Sequence, residues 1–482
     1  MKLVYNGLEM FQRGIEVIGE IIASVNDALY SYILIIVLVL GGIYFTVITR
    51  FVQFRLFREQ IRCVTEKPAD GKGVSSFQAL MVSTASRVGT GNIVGVSTAL
   101  CLGGFGSVFW MWLIAIIGSA SAFVESTLAQ IYKTKGPDGS YGGPAYYIQT
   151  AFRNKPLAII FSVFLILTYG FGFNMLASYN LQSTFSSYGF YNPEISPWII
   201  GLILAVIVGY CLMGGGSRVI KVTSFLVPIM GVAYILVALL IVVLNIKALP
   251  GVFSTIFSEA FNFEAIFGGF SGSCVMFGIK RGLFSNEAGV GSAPNASASA
   301  EVAHPAKQGL VQVLSVFIDT ILVCSATAFM CMCSGVEPSD KLSGAPYVQA
   351  ALSSTLGEFG PIFITVAMIL FAFTTLLGNL YYVDKCVIFI MGKVPSKAFM
   401  RVYYVIASLV IFVGAGLSAD LLWNIADVTM GGMTIINMPV ILILSKYAFR
   451  ALKDYDNQRK EGVTPVFKAK NIGLPHDVDY WK

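Results

Sequence analysis

Charged side chains are scarce in this sequence, since Asp, Glu, Lys and Arg make up only 12% of its 482 residues while 56% are hydrophobic. A soluble protein of this length needs far more charge to cover its surface. Together with a mean hydropathy of +0.75, this predicts that most of the chain faces lipid. The net charge of +6 does not indicate a nucleic-acid partner, because the basic residues are spread over loops.

Histidine is also scarce, and the cysteines show no paired spacing. The two histidines, His304 and His476, lie in polar connecting segments, and the eight cysteines fall mostly in apolar stretches without paired spacing. This pattern excludes a disulfide framework and a zinc site. No nucleophile, metal or phosphate-cradling motif is found in the sequence. We therefore expect neither an enzyme nor a cofactor.

Long apolar runs are what the sequence has instead. A membrane-spanning helix needs about 20 largely apolar residues. Eleven stretches qualify, some of them interrupted: 29–49, 76–103, 106–132, 156–179, 197–213, 219–246, 264–300, 307–334, 360–391, 400–418 and 421–445. The sequence thus predicts an all-α membrane protein with eleven transmembrane helices.

Basic residues predict the orientation of these spans. If the loops after odd-numbered spans are inside, the inner side holds 25 of the 32 Lys and Arg residues, and the outer loops hold four. The positive-inside rule then puts the N-terminus outside and the C-terminus in the cytoplasm. We expect a multi-pass protein of the bacterial inner membrane.

Domain boundaries follow from the spans. Apolar residues at helical spacing predict a helix on the outer membrane surface over 1–28. The further segments are an extra span (29–49), a basic cytoplasmic loop (50–75), a first five-helix repeat (76–246), a second five-helix repeat (264–445) and a basic cytoplasmic tail (446–482).

Two spans share a pattern that favours the repeat. Arg87, Asn92 and Gly95 in one span recur as Arg281, Asn286 and Gly289, in the same spacing and 194 residues further on. Each pattern begins a set of five spans, and the two sets have opposite orientations because five is odd. Interrupted helices at matching positions are typical of inverted-repeat transporters, in which they form the central site. Close helix packing is the alternative reason for glycine at positions such as 91 and 95.

An interrupted helix suits an amino acid and a cation. Backbone groups released at the break need partners in a low-dielectric core. Free amides at the start of a half-helix favour a carboxylate, and carbonyl and hydroxyl oxygens favour a hard cation such as sodium. An amino acid presents both charges.

Ionisable residues inside the spans are functional candidates, because burying a charge there is costly. Arg87 and Arg281 lie just before the two breaks, and we hypothesise that they belong to two gates that pair with acids. The possible partners are Glu125, Glu287, Asp319, Asp384 and Asp427. Permanent structural ion pairs are the alternative for Glu125 and Asp427. Asp319 could bind sodium, carry a proton or stabilise a helix break.

Several motifs resemble the alanine or glycine:cation symporters. They lie at residues 89–95, 123–130, 142–147, 281–294 and 371–375, and the likeness runs from about residue 74 to 445. The run from Arg281 to Gly289 is highly specific. The resemblance implies a leucine-transporter-like fold with one extra leading helix, and sodium-coupled uptake of alanine, glycine or a related amino acid by alternating access.

The resemblance also implies where the ligands bind. In such folds the first and sixth core spans bind substrate, and the first and eighth share a sodium ion. The substrate-binding candidates are Thr90, Gly91, Asn92, Gly95, Ala177, Phe284, Ser285, Asn286, Gly289 and Asn379. The sodium candidates are Gly89, Thr374, Thr375 and Asp319, and the gating candidates are Arg87, Arg281 and Glu287. The threonines have an alternative role, hydrogen bonding back to their own helix.

Two departures from the family bear on the substrate. Ala177 stands where relatives usually have glutamine, and Asn379 stands where they usually have tryptophan. Both changes predict a larger pocket that is more polar at one end. Glutamine, asparagine or serine is therefore as good a candidate substrate as alanine or glycine. The expected partners are this amino acid, Na⁺ and the lipid bilayer, and we expect a monomer. Proton coupling through Asp319 or Glu287 is the alternative, and a channel fits less well.

Overall fold

The computed structural model of the protein is helical almost throughout. It describes residues 17, 19–69, 71, 73–137, 139–269, 273–474 and 477–481. Within that part, eight helices are long and apolar enough to cross a membrane, and two shorter apolar helices accompany them. Helices suit such apolar sequences, because each helix satisfies its own backbone hydrogen bonds where no water is present.

Among the described residues, the first half of the chain forms ten helices and a small hairpin. The helices are α1 (Gly19–Ile48), α2 (Val52–Arg55), α3 (Phe57–Thr65), α4 (Ser76–Arg87), α5 (Gly91–Gly103), α6 (Ser107–Ile131), α7 (Pro144–Phe152), α8 (Lys155–Ser187), α9 (Ser196–Leu212) and α10 (Gly215–Leu244). Strands β1 (Thr134–Gly136) and β2 (Gly139–Tyr141) pair antiparallel between α6 and α7, with Lys135 opposite Ser140.

The second half carries nine helices in the described residues. They are α11 (Leu249–Ala260), α12 (Phe263–Gly268), α13 (Cys274–Asn286), α14 (Pro294–Ser297), α15 (Pro305–Cys333), α16 (Ala345–Leu356), α17 (Phe359–Met391), α18 (Lys397–Gly414) and α19 (Ala419–Lys460). Short 3₁₀ turns lie at Ile246–Ala248, Asp340–Leu342 and Ala469–Ile472.

Some helix bounds differ from those predicted. The helix expected over 1–28 falls largely outside the described residues (1–16 and 18), and from Gly19 the chain runs without a break into the apolar part of α1. At the other end, α19 continues to Lys460, well past the predicted end of the span at 445. Apolar length fixes where a span must lie in lipid, but helical hydrogen bonding does not have to stop at the membrane surface.

The inner helices surround a core that is buried on all sides, and the outer helices expose apolar side chains. Helix α6 packs on α15, α13 packs on α5, and α4 packs on α10 and α17. Helix α9 packs on α18, α10 on α17, and α8 on α19. Large apolar side chains of α9, α10 and α18 are exposed, as with Val206, Val243 and Val402. Such a surface is stable against lipid tails and not against water.

The polypeptide after α19 packs back against one end of the helix bundle. Phe467 N donates to Ala303 O at 2.9 Å, and Trp481 Nε1 donates to Gln130 O at 2.7 Å. Asp479 accepts from Lys135 N at 3.0 Å, and Phe467 is buried. The predicted basic tail is therefore a docked part of the molecule.

Candidate functional site

The first helix break separates α4 from α5. Helix α4 ends at Arg87, and α5 begins at Gly91 with a widened, π-helical turn. Asn92 bridges the gap, because its Oδ1 accepts from Gly89 N at 2.8 Å. A side-chain carbon on Gly89 would overlap Thr375 Oγ1 of α17. Glycine is thus required at position 89 by the close approach of another helix.

The second break separates α13 from α14. Helix α13 ends at Asn286, and Glu287 then adopts a left-handed conformation with φ of 53°. Gly289 and Gly291 follow with φ of 86° and 91°, and α14 starts at Pro294. A left-handed Glu is uncommon, costs of order 1–3 kcal/mol and persists only where the surroundings hold it. Both interrupted spans predicted from the Arg/Asn/Gly pattern are broken in the structure, next to those residues.

Asp319 ties the two breaks together. It lies in a π-helical stretch of α15, Phe317–Cys324, and is fully buried. Its Oδ1 accepts from Asn92 Nδ2 at 2.7 Å, and its Oδ2 accepts from Ser285 Oγ at 2.7 Å and from Thr320 Oγ1 at 2.8 Å. Asn92 also donates to Ser285 Oγ at 3.0 Å. One carboxylate therefore fixes α5 and α13 relative to α15, and both of its oxygens already accept hydrogen bonds.

A second chain of polar side chains runs from the break between α13 and α14 to α8. Glu287 accepts from Ser86 Oγ at 3.0 Å and from Ser292 Oγ at 2.6 Å. Ser86 Oγ also lies 2.7 Å from Asn379 Oδ1, and Asn379 contacts Asn174 at 2.9 Å. A hydroxyl has one proton, so Ser86 cannot donate to Glu287 and Asn379 together. Turning over the amides of Asn379 and Asn174 together satisfies the chain, because Asn174 Nδ2 has no other partner among the described residues. A proton on Glu287 that is donated to Ser86 also satisfies it.

The two arginines have different partners. Arg281 Nη1 lies 3.4 Å from Asp427 Oδ1, and its guanidinium lies 3.9 Å from the centre of the Trp423 ring. Lys280 Nζ lies 3.0 Å from the other oxygen of Asp427. Arg87 donates to Gln312 Oε1 at 2.9 Å and makes no ion pair within the described part of the chain. The expected pairing with an acid is thus present for Arg281, with Asp427, in this conformation.

Aromatic rings cover the first break on the side of Arg281. The Phe284 ring lies 4.4 Å from that of Phe173 and 4.8 Å from that of Trp423. It also lies directly over Gly91, where an added Cβ would come within 2.6 Å of the ring. All three rings are buried. Phe284 therefore forms a wall at the break, held in place by α8 and α19.

The neighbouring residues Thr374 and Thr375 of α17 differ in their hydrogen bonding. Thr374 Oγ1 donates back to Leu370 O at 2.9 Å, which is the local hydrogen bond that helical threonines often make. Thr375 Oγ1 faces Gly89 and has no hydrogen-bond partner among the described residues. Of the two threonines predicted as sodium ligands, Thr375 is the one that faces the break.

Other buried polar atoms near the breaks also lack partners within the described residues. They include Asn286 Nδ2, Asn180 Oδ1, and Nε and Nη2 of Arg87. An unpaired buried polar group costs about 1–3 kcal/mol. Three donor atoms, the acceptor Asn180 Oδ1 and the Thr375 hydroxyl are groups that a carboxylate, an ammonium group and a cation can bind. The predicted substrate residues themselves are all buried: Thr90, Gly91, Asn92, Gly95, Ala177, Phe284, Ser285, Asn286, Gly289 and Asn379.

Helix α8 contributes residues that sequence reasoning did not select. Asn180 Nδ2 donates to Thr90 Oγ1 at 3.2 Å, and Asn174 reaches Asn379. Ala177 lies between them at spacings of three, so it shares the face that is turned toward the breaks. Ser86 and Trp423 were also missed. An Asn within an apolar span could have been selected as a site residue, because a polar amide is costly to bury in a membrane. A Ser or Trp in a span is common and does not by itself indicate a site.

Comparison with known proteins agrees with this architecture. A family model described as "Sodium:alanine symporter family" matches residues 15–469. The chain is 44% identical over 457 residues to "Amino-acid carrier protein AlsT" of Bacillus subtilis, covering 95% of this chain and 96% of that one. It is 41% identical over 468 residues to "Probable sodium/glutamine symporter GlnT" of the same organism, covering 97% and 96%.

A solved structure extends the likeness to the fold. The crystal structure of MhsT in complex with L-phenylalanine matches with a TM-score of 0.56 at 15% identity, over 84% of this chain and 95% of that one. At this identity the match supports the fold alone, which is leucine-transporter-like, as the sequence predicted. The family match covers most of the chain, so this multi-pass membrane protein belongs to the sodium:alanine symporter family.

Proposed function

We propose that the protein is a sodium-coupled symporter that imports a small neutral amino acid by alternating access. The observation that carries the proposal is the pair of helix breaks, around which buried donors and acceptors have no hydrogen-bond partner among the described residues. Family membership supports the same function. The two breaks lie against each other through Asn92, Ser285 and Asp319, as one central site requires.

Thr375 and Gly89 are the proposed sodium site. A hydroxyl without a partner next to a helix break offers oxygen ligands, and backbone carbonyls at the end of α4 add more. Thr374 is one residue away but donates to its own helix, so its part is smaller. Asp319 acts as a brace in this proposal, because its oxygens accept from three donors.

The proposed substrate site lies between the breaks. Backbone amides at the start of α5 and Nδ2 of Asn286 suit the substrate carboxylate. Asn180 Oδ1 suits the ammonium group, and Phe284 closes the site on one side. Ala177 and Asn379 are smaller than the glutamine and tryptophan that relatives usually have there, which favours a side chain longer than that of alanine. A glutamine-sized substrate is consistent with these residues, and the name of the relative GlnT points the same way.

We infer eleven spans arranged as an extra helix followed by two inverted repeats, 76–246 and 264–445. Helix packing supports this arrangement, because α6 packs on α15 and α9 on α18, which hold equivalent positions in the two repeats. The linker helices α7 and α16 follow Gly143 and Gly344, which have φ of 127° and 94°. Gly344 bonds to Ser97 of α5, and Gly143 lies against Asn295 of α14.

The basic loops support the proposed orientation, with the N-terminus outside and the C-terminus in the cytoplasm of a bacterial inner membrane. Arg281, Asp427 and Trp423 then form the outer gate, closed in this conformation. Arg87 belongs to the inner gate, and Glu287 is the third gating residue because it accepts from Ser86, the neighbour of Arg87 in α4. We propose that one chain is sufficient for transport.

Equilibrium binding to the purified protein tests the proposal. Labelled alanine, glycine, serine, asparagine and glutamine are offered in sodium buffer, and in potassium buffer at several pH values. Binding of one of them that requires sodium is expected. Binding that is indifferent to sodium but follows pH would instead favour proton coupling through Asp319 or Glu287. No binding to folded protein in either buffer would overturn the proposed substrate class.

A further inference from the structure

A cavity of about 810 Å³ lies outside the transport site, between the end of α1 and the last turns of α19. Its lining is strongly basic, with five cations and one carboxylate: Arg50, Arg55, Lys453, Arg459, Lys460 and Asp456. The remaining lining includes Ile48 and Phe449, which are apolar. A concentration of like charge in one cavity attracts anions.

Only part of this charge is neutralised by the protein. Asp456 lies 2.7 Å from Arg55, and Arg459 lies 3.2 Å from Glu59. Glu59 is shared with Arg62 at 2.6 Å. Arg50, Lys453 and Lys460 make no ion pair with the described residues, and all three are exposed. Three cations therefore line the cavity without a counter-charge from the part of the chain that the structure describes.

The cavity lies at the level of the membrane surface. The apolar part of α1 ends at Ile48, and the chain then turns through α2 and α3. Phe51, Phe54, Phe57 and Ile61 are 53%, 61%, 37% and 47% exposed, at spacings of three and four residues. An exposed apolar row of this kind inserts at the boundary between head groups and acyl chains. Phe51 and Phe54 are next to Arg50 and Arg55 in the sequence. The cavity that these arginines line therefore lies at the level of the lipid phosphates.

We propose that this cavity binds the phosphate head group of an anionic membrane lipid. Arg50, Lys453 and Lys460 hold the phosphate, and the acyl chains lie against Ile48 and Phe449, which line the cavity. Exposed apolar side chains near the cations favour a lipid over a soluble phosphate, because only the lipid has acyl chains that can contact them. Basic pockets between transmembrane helices on the cytoplasmic side are suited to such lipids. The bound lipid joins the end of α1 to α19.

Native mass spectrometry of the purified protein tests the proposal. Phosphatidylglycerol and phosphatidylcholine with the same acyl chains are titrated separately, and glycerol 3-phosphate serves as a soluble competitor. The test variant is Arg50→Gln with Lys453→Gln. The control variant, Lys397→Gln with Arg401→Gln, removes two exposed charges from the first turns of α18. Sodium-dependent amino-acid binding checks that each variant is folded.

Wild-type protein and the control are expected to bind phosphatidylglycerol in preference to phosphatidylcholine. The test variant is expected to bind phosphatidylglycerol about fivefold more weakly for each charge removed. Equal affinity of wild type and test variant would overturn the proposal, as would equal affinity for the two lipids. Displacement of the lipid by glycerol 3-phosphate at matching concentration would assign the cavity to a soluble phosphate and also overturn it.

Discussion

At the scale of single residues, the sequence predicted which residues lie at the helix breaks, but it did not predict the direction in which their neighbours' side chains point. The glycines and asparagines of both breaks could be selected from the sequence, because an interrupted helix needs them nearby. Thr374 and Thr375 could not be separated, because adjacent helical residues point about 100° apart and the sequence does not say which one faces the break. The structure separates them through Gly89.

Thr375→Val is expected to weaken sodium coupling, whereas Thr374→Val is not. The first change removes an oxygen that faces the break, and the second removes a local bond within α17. The sodium concentration for half-maximal substrate binding should rise about tenfold for Thr375→Val, which corresponds to losing one hydrogen bond to a charged group. Sodium titrations of both variants measure the difference. Equal shifts in the two variants would contradict the assignment.

His304 should make stability fall as the medium is acidified. Burial lowers the pKa of His304 below its usual value near 6.5, although its bond to Asp454 opposes this. The unfolded chain therefore takes up a proton before the folded protein does. Stability is lost as pH falls below about 6.5, by about 1.4 kcal/mol per pH unit between the two pKa values.

Thermal unfolding of wild type and His304→Gln between pH 7.5 and 5.5 measures this. The variant should unfold at a lower temperature at pH 7.5, because His304 Nδ1 accepts from Ala306 N at the start of α15. Its unfolding temperature should depend less on pH than that of wild type. An equally steep pH dependence in both proteins would show that His304 does not cause it.

At the scale of elements, the positions of the helix breaks were predictable, but the hydrogen bonds from Asp319 of α15 that stabilise them were not. The Arg/Asn/Gly repeat marks both breaks because half-helices need polar residues and glycine at their ends. The π-helical stretch around Asp319 has no sequence signal that we can identify, although such turns often occur at functional sites. The sequence left Asp319 with three possible roles, and its hydrogen bonds favour the third, stabilising a break.

Asp319→Asn is therefore expected to impair transport without weakening sodium binding. The amide cannot accept from all the donors that the carboxylate serves, so a bond between α5, α13 and α15 is lost at a cost of about 1–3 kcal/mol. The unfolding temperature should fall, while the sodium titration of residual substrate binding stays within about twofold of wild type.

Asp420→Asn is the matched control, since Asp420 is exposed at the start of α19. It should leave both measurements unchanged. If Asp319→Asn shifts the sodium titration as far as Thr375→Val does, Asp319 is a sodium ligand and the bracing role is wrong.

At the scale of the whole molecule, apolar length and basic loops predicted a multi-pass helical protein, and the family resemblance predicted its leucine-transporter-like fold. The docking of the C-terminal tail could not be predicted, because long-range contacts of a polar segment leave no periodic pattern. The tail reaches α6 through Trp481 and the segment before α15 through Phe467. It thus links α19 to the end of the bundle where α14 and α15 meet.

Phe467→Ala combined with Trp481→Ala is expected to undock the tail. The two rings contact each other, and Phe467 also contacts His304. Hydrogen exchange should speed up over residues 464–474 and 300–304, since losing these contacts lowers the free energy of local opening. Phe190→Ala, which removes a largely exposed ring, is the control. Unchanged exchange in the double variant would contradict a docked tail.

Uptake into proteoliposomes tests the central claim most directly. Alanine and glutamine are supplied outside at equal activity, with an inward sodium gradient of tenfold and a membrane potential of about 100 mV, inside negative. One sodium ion then releases about 3.7 kcal/mol, enough to accumulate a neutral amino acid up to about 500-fold. We predict accumulation of at least one of the two that collapses when potassium replaces sodium and is reduced in Thr375→Val. Uptake that only equilibrates, or that persists in full without sodium, would contradict a sodium-coupled symporter.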